Sequence, residues 1–543
     1  MKLRTIASIL VAHFKRWGID YVFGIPGKPI APLIMELDKQ GINFILGKHE
    51  GGSGYSASGY AMMNKRLGVA IATSGPGGTN LLTSAGQAKA SHSPVLFITG
   101  QPSLVNAGKA LGQDSTMFGT DLVKMFEPVT KFSVRVDRAD QFRRYLQHAL
   151  EKAHSGVKGP VHLSIPFDIL NQQIEEFELD LPINMCGFIS SKLDEFISKL
   201  DKTSRAVILL GKGVHSSLSY YEVEKLAELW KIPVMTTPGG KGTFIENHPL
   251  SLGALGLGGT ERASQYIKDG IDLLIVIGSK LSDMSIVDIS PENYPKEIIH
   301  LDYDSTFIGK SIIVPTLPII GDIKMNLQWV LNKVSNRTKN KFEILNEKCE
   351  IIQNNNKSFI SAAIAIKTLR EGLPDDSIIF GDDGSHTFYA IRYFNIRKPG
   401  TFFFDDVFGA MGHAIGYSIG AQLERDDVRI ICLTGDGCTF MHGTEMSTAA
   451  NYNIPVTFIV FNNGRLDMPD KAMQHSLGKS VGAIYNIPLD IERFGQSMGI
   501  KSFKCLNELD LKEALEISKS HDKPIIIEVM VDPNEMPPTI KRG

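Results

Sequence analysis

The sequence predicts an α/β protein made of three doubly wound domains, each built on a parallel sheet. Short apolar segments typical of buried strands alternate with longer segments of helical period along the chain. The clearest strand segments are residues 69–73, 94–99, 206–210, 273–278, 429–434 and 457–461. With 543 residues, the chain also exceeds what one hydrophobic core usually supports, so about three domains are expected.

Two polar stretches without a sustained period divide this series of strands and helices. One lies around residues 170–190, and the other, rich in Asn and Lys, lies around residues 335–357. The predicted domains are therefore residues 1–175, 190–335 and 357–543. At the start of the chain, Ile6, Leu10 and Phe14 recur at helical spacing without a following signal-peptide cleavage site, which predicts an amphipathic first helix.

Composition and charge argue against several classes of protein. A net charge of −2 gives no field that would hold nucleic acid or an anionic membrane. No apolar run approaches the roughly 20 residues of a membrane helix. The five cysteines are scattered and never spaced as CxxC, which argues against a disulfide framework and a structural zinc site. A small-molecule substrate, no nucleic acid or membrane partner, and a cytoplasmic location are expected.

The strongest chemical signal lies in residues 429–465. A buried strand ends at Gly435, Asp436 and Gly437, a helix carries the chain back, and a second strand ends before Asn463. Right-handed βαβ geometry makes such strands parallel neighbours, so Asp436 and Asn463 should project from the same sheet edge. Their oxygens suit Mg²⁺, with the Arg465 carbonyl as third ligand, and the glycine-rich turn leaves amides free for a diphosphate. Asp-Gly or Asn-Gly alone is a common turn sequence, whereas the two together, each at the end of a strand, favour a metal site.

This pair of motifs resembles the signature of thiamine-diphosphate enzymes, and the order of the other motifs is similar to the acetolactate synthase family. The resemblance implies thiamine diphosphate and Mg²⁺ as cofactors. A Gly-Gln-His element of the family that also holds the diphosphate matches residues 384–386, with one of the three positions changed. The segment 408–416 resembles the family's GxMG segment, in which Met411 would form a wedge under the cofactor; without the family it would be a core methionine. The implied cofactor-binding residues of the last domain are Gly384, Ser385, His386, Gly409, Met411, Gly435, Asp436, Gly437, Cys438 and Asn463.

The first domain resembles the family's pyrimidine-binding domain in three segments, residues 24–27, 46–61 and 73–80. The resemblance implies that Pro26 and Asn80 contact the cofactor and that Glu50 protonates its aminopyrimidine ring. Such a carboxyl group must be partly protonated near neutral pH, and burial among apolar groups favours the neutral form. Alone, Glu50 would be a solvated loop acid, but it stands between a predicted strand and a glycine-rich helix start.

Gln113 matches a family glutamine that reaches the reacting carbon, which makes it the second predicted catalytic residue. Many acetolactate synthases have a phenylalanine before this glutamine, and this chain has Gly112 instead. The pocket beside the reacting centre therefore gains room, and a small acceptor is no longer the natural expectation. His413 and His442 are further candidates for acids near the thiazolium ring, with an ordinary packed or hydrated histidine as the alternative.

Residues 190–335 resemble the family's central domain, which holds FAD in the biosynthetic branch. That branch has two arginines in a segment that touches the cofactor and the keto acid, whereas residues 278–284 read GSKLSDM here. A lysine lacks the planar guanidinium group with which arginine binds a carboxylate through two hydrogen bonds. FAD is therefore not assigned, and a nucleotide-binding and a purely structural middle domain stand as equal alternatives.

The resemblance implies decarboxylation of a 2-oxo acid followed by carboligation to a second carbonyl compound. The alternatives are a simple 2-oxo acid decarboxylase or aldehyde lyase and, in another class, a non-catalytic nucleotide-binding or redox protein. Residues 465–486 should cover the site, and they lack the tryptophan that favours 2-oxobutyrate in branched-chain amino-acid synthesis. Family sites lie between the first domain of one subunit and the last domain of another, which implies a homodimer or homotetramer.

Overall fold

The computed structural model describes residues 2–182, 187–334, 358–405 and 407–539. They form three α/β domains, each with a six-stranded sheet whose strands are all parallel. The predicted fold class is therefore confirmed. The predicted break at residues 335–357 lies outside the described residues, as do residues 183–186 of the first break, and the domain boundaries remain predictions.

The sheet of the first domain has the strand order β3-β2-β4-β5-β7-β6, and β1 and β8 form a separate antiparallel pair. Thr5 caps the predicted first helix, whose Ile6, Leu10 and Phe14 are fully buried. The strands are β1 Leu3–Thr5, β2 Tyr21–Gly24, β3 Asn43–Leu46, β4 Gly68–Ala72, β5 Val95–Gln101, β6 Ser133–Arg135, β7 Val161–Pro166 and β8 Gln173–Glu175. The helices are α1 Ile6–Arg16, α2 Ala31–Gln40, α3 Glu50–Asn64, α4 Pro76–Asn80, α5 Leu82–Ala90, α6 Leu122–Phe126, α7 Phe142–His154 and α8 Phe167–Asn171.

The middle domain has the strand order β11-β10-β9-β12-β13-β14. Its central strands are continuous buried apolar runs whose alternate side chains pack into two separate hydrophobic clusters, one on each face of the sheet. The strands are β9 Ala206–Leu210, β10 Val234–Thr236, β11 Ser251–Ala254, β12 Leu273–Ile277, β13 Glu297–Asp302 and β14 Thr316–Ile320. The helices are α9 Leu193–Lys202, α10 Gly213–Ser217, α11 Tyr220–Trp230, α12 Glu261–Lys268 and α13 Ile323–Lys333.

The last domain has the strand order β16-β15-β17-β18-β20-β19, so β17 and β18 are parallel neighbours as predicted. The single helix expected between them is instead two short helices joined by a 3₁₀ turn at Gly443–Glu445. The strands are β15 Ile378–Gly381, β16 Phe402–Phe404, β17 Ile430–Gly435, β18 Thr457–Asn462, β19 Lys501–Cys505 and β20 Ile525–Met530. The helices are α14 Ala362–Gly372, α15 Ser385–Tyr393, α16 His413–Glu424, α17 Asp436–His442, α18 Met446–Asn451, α19 Asp467–Leu477, α20 Ile491–Ser497 and α21 Glu508–Ser520.

Helix α3 of the first domain packs closely against helix α16 of the last domain. Glycines make the approach possible: a Cβ atom added at Gly59 would lie 2.0 Å from the Tyr417 carbonyl oxygen. One added at Gly420 would lie 1.8 Å from the Ser56 carbonyl oxygen. Both contacts are with backbone atoms, so no rotation of a side chain could make room for an added methyl group. The contact fixes the first and last domains relative to each other within one chain.

We expect Gly420→Ala to destabilise the protein by about 2 kcal/mol or more, since the added methyl group forces the two helices apart. The measurement is the melting temperature of the protein without added cofactor. Gly112→Ala is the matched control, because no atom lies within 4 Å of a Cβ added there. An unchanged melting temperature in Gly420→Ala would contradict the close packing of α3 and α16.

Within the part of the chain that the structure describes, no helix combines the length and apolar character needed to cross a membrane. The described cysteines, Cys432, Cys438 and Cys505, are all buried and free.

Candidate functional site

A cavity of about 300 Å³ lies at the carboxyl ends of β15, β17 and β18. Three segments line it, residues 383–386, 435–438 and 463–469, together with the loop before α16. Parallel α/β sheets bind ligands at this edge. The cavity brings together all the cofactor and metal residues predicted in the last domain, which are Gly384, Ser385, His386, Gly409, Met411, Gly435, Asp436, Gly437, Cys438, Asn463 and Arg465.

The Asp436 carboxylate organises the metal-binding half of this cavity. It stands directly after β17, and its Oδ2 atom accepts hydrogen bonds from the amides of Gly464 at 2.8 Å and Arg465 at 3.2 Å. The turn after Asn463 is therefore folded around the carboxylate. Burial raises the pKa of Asp436 to about 6, although the surrounding amide hydrogen bonds oppose the shift. A carboxylate and an amide oxygen at one strand edge fit a divalent cation.

The other half of the cavity is suited to an anion. Helix α15 begins at Ser385 and helix α17 at Asp436, so free backbone amides and the positive ends of two helix dipoles meet there. The buried Nε2 atom of His386 has no hydrogen-bond partner among the described residues. Burial lowers the pKa of His386 to about 4, so its ring is neutral at pH 7. These donors fit a diphosphate.

Ser385, the changed position in the Gly-Gln-His element, has a partner that the sequence did not indicate. Its hydroxyl group donates a 2.6 Å hydrogen bond to Oδ2 of Asp467 in the first turn of α19. Burial raises the pKa of Asp467. The sequence shows Asp467 only as an acidic residue shortly after Asn463, and nothing at that position indicates Ser385 as its partner.

Met411 and Cys438 both line the cavity. A Cβ atom added at Gly437 would lie 3.1 Å from the Met411 methyl group, so Gly437 leaves room for that side chain. The buried Cys438 thiol donates to the Asp383 carbonyl oxygen at 3.2 Å. Gly409 has a φ of +72°, which lets the loop turn along the cavity.

In the first domain, two of the predicted residues, Glu50 and Asn80, lie together. Glu50 is the first residue of α3 and is only 8% exposed. The Asn80 side-chain amide donates to Glu50 Oε2 at 2.9 Å. A Cβ atom added at Gly77 would lie 3.2 Å from Glu50 Oε1, so a glycine there leaves space for the carboxylate. The two predicted cofactor residues Glu50 and Asn80 are thus direct neighbours.

Pro26 and Gln113 are exposed in the single chain. Gln113 has a φ of +55°, and its Cβ would lie 3.0 Å from a Cβ added at Gly75, so the loop carrying it reaches the end of β4. Gly112 faces open space. None of these residues, nor Glu50, is among the described residues that line the cavity of the last domain. One chain therefore presents the two halves of the predicted site separately.

The middle domain contributes to a second cavity, of about 470 Å³, between it and the first domain. Its wall includes both basic and acidic side chains, which are Lys158, Lys212, Lys280, Asp302, Asp304 and Asp322. The Lys280 ammonium lies 5.5 Å from the centre of the Phe307 ring. This mixed lining favours neither alternative for the middle domain, so both stand and FAD stays unassigned.

Comparison with known proteins gives matches along the whole chain. Three family models match: "Thiamine pyrophosphate enzyme, N-terminal TPP binding domain" at residues 4–125, the central domain of the same enzymes at 193–330, and their C-terminal TPP binding domain at 382–529. A probable acetolactate synthase large subunit from Methanococcus aeolicus is 31% identical, with 97% of this chain and 92% of the relative covered.

Two bacterial relatives are similar over nearly the same span. An acetolactate synthase large subunit from Lactococcus lactis is 28% identical, covering 97% of this chain and 93% of the relative. One from Corynebacterium glutamicum is 29% identical, covering 97% of this chain and 87% of the relative. With three thiamine pyrophosphate domain models matched in order and relatives similar over almost its full length, the chain belongs to the thiamine-diphosphate enzymes of the acetolactate synthase family.

Proposed function

We propose that the protein catalyses thiamine-diphosphate-dependent decarboxylation of a 2-oxo acid and joins the product to a second carbonyl compound. The observation that carries the proposal is the meeting of Asp436, Asn463 and His386 in one cavity at the strand ends. The relatives named acetolactate synthase support the same chemistry. A 2-oxo acid decarboxylase or aldehyde lyase remains the alternative within this chemistry, because both would use the same residues.

Asp436, Asn463 and the backbone carbonyl of Arg465 would hold Mg²⁺, and the ends of α15 and α17 with His386 would hold the diphosphate. Thiamine diphosphate, when bound, supplies the carbanion chemistry. Met411 would support it from below, and Glu50, Asn80 and Pro26 would contact its pyrimidine ring. Gly112, in place of the phenylalanine of many relatives in this family, would leave more room beside the reacting centre.

We further propose that the working protein is at least a homodimer, either a dimer or a tetramer. The support is that Glu50 does not line the cavity of the last domain in its own chain, so the first domain of a second copy would complete it. Sedimentation of an active monomer would contradict this. The cytoplasmic location predicted from the scattered cysteines remains a prediction.

Thermal melting with separate ligands tests the cofactor assignment. Thiamine diphosphate with Mg²⁺ is expected to raise the melting temperature, because a ligand that binds only the native state stabilises it by about 2.7 kcal/mol at 100 times its Kd. Thiamine diphosphate with EDTA should give little increase. A rise with NAD alone, and none with thiamine diphosphate and Mg²⁺, would instead support the redox alternative.

A further inference from the structure

Three titratable side chains form a buried cluster behind the cofactor cavity. The Nδ1 atom of His413 lies 3.3 Å from Asp382 Oδ1 and 3.4 Å from Asp383 Oδ2. Asp382 is completely buried and His413 is 2% exposed. Asp383 differs from both, because it also lines the cavity that holds the predicted diphosphate and metal residues.

The cluster is an ion-pair network and not a metal site. His413 Nδ1 lies 2.8 Å from the Ala410 carbonyl oxygen, which can only accept, so this nitrogen carries a proton and has no lone pair for a cation. The Asp382 oxygens already accept from the Gly412 amide at 2.8 Å, the Asp383 amide at 2.9 Å and the Thr434 hydroxyl at 2.9 Å.

These hydrogen bonds tie together the segment at residues 383–386, the segment at residues 435–438 and the loop before α16, all of which line the cavity. Gly412 adjoins the predicted wedge Met411, Thr434 precedes Gly435, and Asp383 precedes Gly384. Asp382 thus fixes the relative positions of these segments.

The pKa values of His413 and Asp382 are shifted in opposite directions. Burial alone would lower the pKa of His413, but the hydrogen bonds and charges of the two aspartates raise it well above its usual value. Burial would likewise raise the pKa of Asp382, yet the bond and charge of His413 bring it below the usual value. His413 and Asp382 therefore form a charged pair.

Asp383 is the remaining carboxyl group of the cluster, and burial raises its pKa despite the nearby His413. Its Oδ2 atom is buried without a hydrogen-bond partner of good geometry, and its Oδ1 atom would lie 3.8 Å from a Cβ added at Gly409. The titratable groups that face Asp383 from the packed elements are Asp382, His413, Asp405, Tyr55 and Cys438.

We propose that Asp383 carries a proton to the substrate carbonyl oxygen in the cofactor cavity, with Asp382 and His413 as its positioning pair. The proposal rests on the proposed function and adds a residue to it. When the carbonyl carbon gains a new bond, the C=O π electrons move to oxygen, and this oxygen takes the proton of the Asp383 carboxyl group. The resulting carboxylate lies beside the cationic His413 and regains a proton from solvent or from product in a later step.

The test compares Asp383→Asn with the wild-type holoenzyme. Asparagine keeps the size of the side chain but cannot carry the proton, so kcat for CO₂ release and product formation should fall about 100-fold or more. The decline of wild-type kcat as pH rises through the titration of Asp383 should be absent in the variant. The melting shift with thiamine diphosphate and Mg²⁺ should be kept. A kcat and pH profile like those of the wild type would overturn the proposal, and so would loss of cofactor binding.

NMR of ¹⁵N-histidine-labelled protein without cofactor tests the positioning pair, with His413→Gln identifying the signal. In the wild type, His413 should remain protonated well above the usual titration range of histidine, and it should titrate at lower pH in Asp382→Asn. A His413 that titrates in the ordinary range in the wild type would overturn this part of the proposal. Wild-type protein without a cofactor melting shift or turnover would refute the proposed function instead, so the two failures are distinguishable.

Discussion

Glu50→Gln is expected to slow CO₂ release from 2-oxo acids by about 100-fold or more, because glutamine cannot exchange a proton with the pyrimidine ring. Glutamine has nearly the same shape, and its carbonyl oxygen can still accept the hydrogen bond from Asn80. Folding and the melting shift with thiamine diphosphate and Mg²⁺ should therefore change little. Steady-state assays of the holoenzyme with a panel of 2-oxo acids, including pyruvate, provide the measurement.

Glu445 offers a matched control, since it is a buried glutamate near the same helix start. Its Oε1 atom accepts from the amides of Lys48 at 2.9 Å and His49 at 2.6 Å, just before α3. Glu445→Gln keeps an acceptor oxygen and should leave turnover within about twofold while lowering stability modestly. Full turnover in Glu50→Gln would remove Glu50 from the mechanism.

Asp436→Ala is expected to abolish the melting shift produced by thiamine diphosphate and Mg²⁺. The substitution removes the only charged ligand group of the predicted metal site and leaves the amides of Gly464 and Arg465 without their acceptor. Binding of the cofactor should therefore weaken by about 100-fold or more, since even outer partners of metal ligands contribute 10- to 100-fold to affinity. Calorimetric titration of the apoprotein with Mg²⁺ and thiamine diphosphate measures the loss directly.

Two variants control for the damage that this substitution does to the turn. Asp436→Asn keeps an oxygen for the amides but loses the charge, so it should fold normally and still bind the cofactor weakly. Asp426→Ala removes an exposed aspartate from the loop before β17 and should bind as the wild type does. Undiminished cofactor binding by Asp436→Ala would show that the metal is held elsewhere.

Much of this site could be predicted because its parts are local in sequence. The strands before Asp436 and Asn463 are continuous apolar runs, and one βαβ unit with right-handed geometry makes them neighbours. The same reasoning placed Glu50 between a strand and a helix, and the structure has β3 and α3 at those positions. Local patterns of hydrophobicity and glycine therefore suffice for strand ends and the residues that follow them.

The contacts that could not be predicted join residues far apart in the chain. Ser385 and Asp467 are 82 residues apart, and Asp382 and Thr434 are 52 residues apart. Strands β1 and β8 pair Leu3 with Glu175, although each strand has only three residues. A strand of three residues or a single polar side chain carries no sequence pattern that identifies its partner. Which residues pair there depends on how whole domains pack.

The glycine contact between α3 and α16 has a consequence for how the protein can evolve. Because the first and last domains pack directly against each other, their relative position does not depend on the middle domain. Its side chains can change without disturbing the packing of the outer domains, which fits the absence of the two family arginines from residues 278–284. By the same logic, a protease cut inside the middle domain would leave the outer domains joined.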